Sequence, residues 1–161
     1  MKKMDRDGLL LCELQGNAFE ESVNQLMCSS LIFIRRFMNS KSVKRLDNGS
    51  ILETNIRAKD INVLVEEEYI PTDYGSVKYS KDEMFWTGYL YRYFSYTYEL
   101  SSLKVYKIVK PKELRELFFA YHTLSPAQAI ERILEAKGLQ MNETQTMEKQ
   151  YEIFKKIREN K

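Results

Sequence analysis

The stretch that decides the fold is FWTGYLYRYFSYTY, residues 85–98, in which eight of the fourteen side chains are aromatic. Just before it, Ser80 and Glu83 have the spacing of a capping box. In that motif a serine hydroxyl and a glutamate carboxylate satisfy free backbone N–H groups at the start of a helix. We therefore predict a helix over residues 84–100. Its apolar side chains point in every direction, which is typical of a helix buried on all sides.

Two interpretations of this helix remain open. It is either a central core helix or a helix with one face reserved for a partner, because tyrosine suits a surface that is packed at one edge and wet at the other. Aromatic rings also stack on nucleic-acid bases, but single-strand binders place them in a basic groove, and this stretch contributes only Arg92. The candidate partner-binding side chains are Trp86, Tyr89, Tyr91, Tyr93 and Tyr96.

Helix signals recur along the rest of the chain. Apolar residues every three or four positions, together with start signals such as Pro111 and Ser125 before Pro126, are typical of amphipathic helices. Asp60 can cap a further helix that carries Ile61, Leu64 and Val65. The segment 103–109 also allows a short helix, whereas 50–57 reads as extended. We predict a mainly α fold, an irregular bundle of about seven helices in one domain over 1–161. The further predicted helices cover 8–25, 31–38, 42–46, 111–121, 127–137 and a last helix from Asn142.

Composition supports that assignment and excludes several classes of protein. The chain has 161 residues, of which 43% are hydrophobic, with only six glycines and three prolines. Few helix breakers favour long helices, and this length suffices for one core. No apolar run approaches the roughly 18 to 20 residues that span a bilayer. The net charge of +2, from 25 basic and 23 acidic residues, gives no strong electrostatic case for nucleic acid.

The N-terminus and the cysteines indicate a reducing compartment. The first residues lack the long apolar stretch of a secretory signal, so we expect a cytoplasmic protein. Cys12 and Cys28 are the only cysteines, and they have neither CxxC spacing nor neighbouring histidines. Both are expected to be reduced thiols packed among apolar side chains.

Two adjacent arginines interrupt the apolar helix 31–38. A solvated helix face is the common explanation of such a pair, but a buried guanidinium needs a carboxylate. Glu20, Glu21 or the acidic run 66–68 could supply it. Arg35 and Arg36 are therefore candidates for an internal ion pair or for contact with a partner.

No catalytic constellation is visible. His122 is the only histidine, and hydrogen bonding at a helix end is its commonest role, with a general base as the alternative. The chain has no phosphate-binding glycine loop, no nucleophile elbow and no HExxH motif. We expect no catalytic residue, no metal ligand and no cofactor, and hence a protein that is not an enzyme.

Four segments resemble a known family. They are 9–20 (LLLCELQGNAFE), 33–40 (FIRRFMNS), 85–96 (FWTGYLYRYFSY) and 121–133 (YHTLSPAQAIERI). Together they resemble an uncharacterised small family of bacterial proteins, which look like neighbours of ADP-ribosyltransferase-like toxins in cassettes of the toxin–antitoxin type. The resemblance implies a role in such a cassette, but it does not imply a mechanism.

Two functional hypotheses follow. In the first, the protein binds a partner protein, such as an ADP-ribosyltransferase-like toxin, and acts as its antitoxin or as an accessory component. In the second, it is a nucleic-acid-binding transcriptional regulator with a helix-turn-helix-like element in the helices that start at Pro111 and Pro126. Charge favours the first hypothesis, because the second of these helices carries Glu131 and Glu135 against Arg132 and Lys137.

Overall fold

The computed structural model describes residues 1–70, 72, 75–139 and 155–158. This part of the chain contains eight α-helices, one 3-10 helix, a short helical segment at 155–158 and no strand, which confirms the predicted mainly α bundle. None of its helices is both long and apolar enough to cross a membrane. The helices are α1 (Arg6–Gln25), α2 (Ser30–Met38), α3 (Lys41–Asp47), the 3-10 helix (Ser50–Glu53), α4 (Ala58–Glu67), α5 (Lys81–Tyr98), α6 (Ser102–Ile108), α7 (Pro111–Tyr121) and α8 (Pro126–Ala136).

Helices α1 and α5 form the centre of the bundle and pack against each other along most of their length. Gly88 of α5 makes this close approach possible. A Cβ atom at that position would lie 2.7 Å from Cγ of Phe19 and 2.8 Å from the backbone oxygen of Gln15. Any side chain would therefore push the two helices apart.

The predicted start and stop signals act as expected. Ser80 Oγ accepts from the Glu83 backbone N–H at 3.1 Å, and the Glu83 carboxylate accepts from the Ser80 N–H at 3.0 Å. Prolines occupy the first turns of α7 and α8. Gly138 ends α8 with a φ of 68°, a left-handed conformation that glycine adopts without steric cost. These local motifs fix the helix boundaries.

The predicted secondary structure of three segments is either wrong or lies partly outside the described residues. Residues 50–57 begin with the 3-10 helix instead of an extended strand, because Gly49 reverses the chain at a φ of 78° and Ile51 turns into the core. Asp60 lies at the third position of α4, where its carboxylate accepts from the Arg57 N–H at 3.1 Å. Of the predicted last helix, residues 155–158 are helical, and residues 142–154 lie outside the described part of the chain.

An aromatic cluster fills the core between α1 and α2. The Phe19 ring meets the rings of Phe33 and Phe37 edge to face, with centroids 5.3 and 4.9 Å apart. Cys12 and Cys28 are also buried in the bundle and are not joined to each other. The buried apolar side chains of α1 and α2 thus form one core, which includes Phe19, Phe33 and Phe37.

Candidate partner-binding groove

An open groove of about 590 Å³ runs over the outer side of α1, α5 and α7. Five of its seven lining side chains are rings, and the other two are carboxylates. We call it the aromatic groove, and it is lined by Glu20, Asp82, Phe85, Trp86, Tyr89, Phe118 and His122.

Helix α5 supplies a ladder of half-buried rings to this groove. The Phe85 and Tyr89 centroids are 5.8 Å apart, and Tyr89 stacks on Tyr93 at 6.5 Å. Phe85 is held in place because it packs on Gly16 of α1, where a Cβ atom would lie only 2.9 Å from the ring. Burial raises the pKa of the Tyr89 hydroxyl, and nearby Glu13 adds to the increase. The rings are thus fixed in place by packing and still reach the surface.

Helix α7 forms the other wall. The Phe118 ring meets Trp86 edge to face at 5.7 Å and stacks on His122 at 4.5 Å. The Nδ1 atom of His122 lies 2.8 Å from the Phe118 carbonyl oxygen. In the tautomer with the proton on Nδ1, the imidazole donates a hydrogen bond to that oxygen. This confirms the predicted helix-end role of the histidine. Beside this wall, Phe119 has 88% of its surface exposed.

The charge of the groove is negative. Its lining includes the carboxylates of Glu20 and Asp82 and no lysine or arginine. Arg115 lies nearby on α7, but its guanidinium pairs with Glu83 at 3.1 Å and covers the Tyr79 ring at 4.1 Å. The groove therefore departs from the net charge of +2 of the whole chain.

The structure places Tyr91 in the core instead of on a partner surface. Only 1% of this residue is exposed, and its hydroxyl donates to the Val109 carbonyl at 2.6 Å. Burial raises the pKa of its hydroxyl well above the ordinary value. A partner cannot reach Tyr91 while the helix stays packed, so its place among the predicted partner contacts needs correction.

Tyr93 and Tyr96 lie further along α5, toward the N-terminal segment. Lys2 places its ammonium 4.2 Å from the centre of the Tyr96 ring, and the Tyr96 hydroxyl donates to Asp5 at 2.6 Å. Tyr93 lines a smaller hollow together with residues 1–4. Of the five aromatic candidates, Trp86 and Tyr89 line the aromatic groove.

The arginine pair lies elsewhere. Arg36 is 9% exposed, and its Nη2 donates to Thr72 Oγ1 at 2.9 Å. Its guanidinium also lies 5.1 Å from the Tyr69 ring. Arg35 is exposed and lies near Tyr106. Burial raises the pKa of the Tyr106 hydroxyl, and the positive charge of Arg35 opposes that increase. Neither arginine lines the groove.

None of the carboxylates expected for Arg36 pairs with it within the described residues, and two of them have other partners. Glu68 accepts from the Lys41 backbone N–H at 3.1 Å, and Glu21 pairs with Lys59 at 3.8 Å. The predicted internal ion pair from these acidic residues is therefore not formed. Arg36 is instead satisfied in part by Thr72 and the Ile70 carbonyl, which leaves its Nη1 without a hydrogen-bond partner there.

A second large hollow, of about 660 Å³, lies beside α3 and the end of α5. Its most buried carboxylate, Asp47, already accepts from Arg92 and from the Ser102 backbone N–H. In the described part of the chain no three side chains of the types His, Cys, Asp and Glu are grouped as a metal site would require. The aromatic groove remains the more distinctive surface.

The side chains of the α7 wall were not among the predicted partner contacts. Phe118 and Phe119 are adjacent, so they cannot both face the core of one amphipathic helix, and that spacing was the available signal. Which of the two faces α5 depends on how the helices dock. Searches of protein families, curated proteins and solved structures found no match to this chain.

Proposed function

We propose that this chain is a non-catalytic protein-binding module that docks its partner on the aromatic groove. The observation that carries the proposal is the cluster of rings that two helices present at one surface, in which Trp86 of α5 meets Phe118 of α7. Tryptophan and tyrosine are enriched among the residues that dominate protein–protein binding energy. Large exposed apolar surfaces on soluble proteins commonly mark such interfaces.

The shape of the groove favours a protein over a small molecule. Pockets for small ligands enclose most of the ligand surface, whereas this groove is open along its length. Phe119 adds a further exposed ring on α7, the helix that forms one wall of the groove. A helix or loop of another protein could cover both.

The partner that the family resemblance implies is an ADP-ribosyltransferase-like toxin in the bacterial cytoplasm. On this proposal the chain acts as an antitoxin or as an accessory component, and it recognises the toxin without carrying out chemistry itself. The searches supplied no relative that bears on this identity. The proposal of a binding module rests on the groove alone.

No structural observation favours the nucleic-acid alternative. The exposed face of α8 carries Glu131 and Glu135 against Arg132. Lys137 pairs with Glu113 of α7, which offsets its charge. A recognition helix needs surplus positive charge to contact phosphates, so this face is unsuited to a DNA groove.

The test begins with capture of the tagged full chain from its native cells, followed by identification of the protein that accompanies it. Dissociation constants are then measured for the wild type, Tyr89→Ala and Phe118→Ala. Loss of an aromatic hot spot should weaken binding by about 2 kcal/mol, which is roughly thirtyfold. Lys112→Ala, at an exposed position of α7, is the control and should bind normally.

Melting curves accompany each variant, because both rings also pack within the protein. Phe119→Ala is a further variant that removes an 88% exposed ring and should leave the melting temperature unchanged. If the partner binds all three ring variants as tightly as it binds the wild type, the groove is not the interface.

A further inference from the structure

The two carboxylates of the aromatic groove differ from their neighbours in the sequence. Glu21 pairs with Lys59, and Glu83 pairs with Arg115. Within the described residues, by contrast, neither Glu20 nor Asp82 takes part in an ion pair or a hydrogen bond of its side chain. Of these four carboxylates, the two that line the groove are therefore the ones without a partner among the described residues.

These carboxylates come from different helices, and the rings lie in the same groove. Glu20 belongs to α1, and Asp82 belongs to the first turn of α5. The electron-rich face of an aromatic ring attracts a cation, and tryptophan does so most strongly. The carboxylates and the rings of the groove therefore both favour a positively charged group.

We infer that the partner inserts an arginine side chain into the aromatic groove, between the Glu20 and Asp82 carboxylates and against the Trp86 ring. The inference rests on the proposed function and adds the chemistry of the partner. Charge complementarity supports it, because an acidic surface suppresses the binding of acidic segments and guides basic ones. Rings and carboxylates together form the environment that an arginine requires.

Arginine fits the groove better than lysine does. Its planar guanidinium stacks on the face of an aromatic ring, and the N–H groups at its edges remain able to donate to carboxylates. It is also more weakly hydrated than an ammonium group, so it loses less on entering a half-buried site. A free organic cation lacks the peptide that would cover the open length of the groove.

Trp86 provides a reporter at the site, because it is the only tryptophan of the chain. The full-length protein is titrated with the capped peptide acetyl-Gly-Arg-Gly-amide, and Trp86 fluorescence is followed. The matched peptide carries citrulline, which has nearly the same shape without the charge. The arginine peptide should bind about tenfold more tightly than the citrulline peptide. Equal binding of the two, or no response to arginine, overturns the inference.

The second arm uses the captured partner and the double variant Glu20→Gln/Asp82→Asn. Its affinity for the partner should fall about tenfold, as expected when a charge pair is lost. The control is Glu116→Gln/Glu131→Gln, which removes two exposed carboxylates of α7 and α8 and should bind normally. Melting temperatures of both double variants should match that of the wild type.

The outcomes separate this inference from the proposed function. If Phe118→Ala weakens binding and the charge variant does not, the groove is an interface but its occupant is not cationic. If neither change matters, both the inference and the proposed function fail. Light scattering tests for a second copy of the chain as occupant: a dimer that Phe118→Ala converts to a monomer would also overturn the inference.

Discussion

Arg92 of α5 donates a 2.8 Å hydrogen bond to Oδ1 of Asp47, the last residue of α3. Only 1% of the arginine side chain and 23% of the aspartate side chain are exposed. The guanidinium also donates to Gln15 at 2.9 Å and to Ser102. Burial lowers the pKa of Arg92, and the adjacent Asp47 opposes that decrease. One buried cation thus joins α1, α3, α5 and α6.

Loss of Asp47 should destabilise the fold strongly. Asp47→Ala leaves the Arg92 guanidinium buried without a counter-charge, and removal of one partner of a buried ion pair costs about 3 to 5 kcal/mol. Urea unfolding followed by circular dichroism measures the difference. Glu53→Ala, at an exposed carboxylate beside the same hollow, is the control and should change stability little. Equal effects of the two changes would show that the buried pair is not essential.

Gly88→Ala should also destabilise the protein, although alanine favours a helix by about 1 kcal/mol over glycine. The new Cβ atom would lie 2.8 Å from the backbone oxygen of Gln15, which cannot move away as a side chain can. Overpacking of this kind costs about 1 to 3 kcal/mol. Chemical denaturation should therefore show a net loss. A gain would mean that the α1–α5 contact is looser than its geometry indicates.

Glu99→Gly should stabilise the protein. Glu99 ends α5 with a φ of 54°, which costs an L-residue with a side chain about 1 kcal/mol and costs glycine far less. The exposed side chain makes no hydrogen bond that would be lost within the described residues. The midpoint of urea unfolding should rise. The matched change Glu116→Gly, inside α7, should lower the midpoint, because glycine within a helix reduces the free energy of unfolding by about 1 kcal/mol.

Much of the fold was predictable because helix ends are encoded locally. The capping box of Ser80 and Glu83, the proline at residue 111 and the left-handed Gly138 each act within a few residues of the chain. The predictions for 50–57 and Asp60 were wrong where a local pattern allowed two conformations. There the burial of Ile51 and the docking of α4 decided the outcome.

The candidate site was less predictable because it depends on contacts between distant segments. A helix with rings on all sides has no apolar period that separates the buried Tyr91 from the half-buried Tyr89. That distinction comes from α6, because the carbonyl of its C-cap residue Val109 accepts a hydrogen bond from the Tyr91 hydroxyl. Likewise, Phe118 contacts Trp86 only because α7 docks against α5. The same docking brings Arg115 of α7 to Glu83, which lies 32 positions earlier in the chain.

The last prediction concerns Cys12, which is fully buried and whose pKa burial raises to about 12. In the unfolded chain a thiol has a pKa of about 8.5. Above that pH the unfolded state loses a proton that the native state keeps, so the free energy of unfolding decreases as pH rises. The full contribution is present below about pH 8.5, and the decrease approaches about 1.4 kcal/mol per pH unit between the two pKa values.

Other groups also titrate in this range, so the measurement compares the wild type with Cys12→Ala. Urea unfolding at several pH values from about 8 to 10.5 should show a steeper decrease for the wild type, and the difference between the slopes isolates the Cys12 thiol. Cys28 is present in both proteins, so its contribution to the pH dependence cancels to first order in the difference. A thiol reagent provides an independent check, because it should modify Cys12 only after unfolding. Parallel pH dependence in the two proteins would show that the Cys12 thiol ionises as readily in the native state as in the unfolded chain.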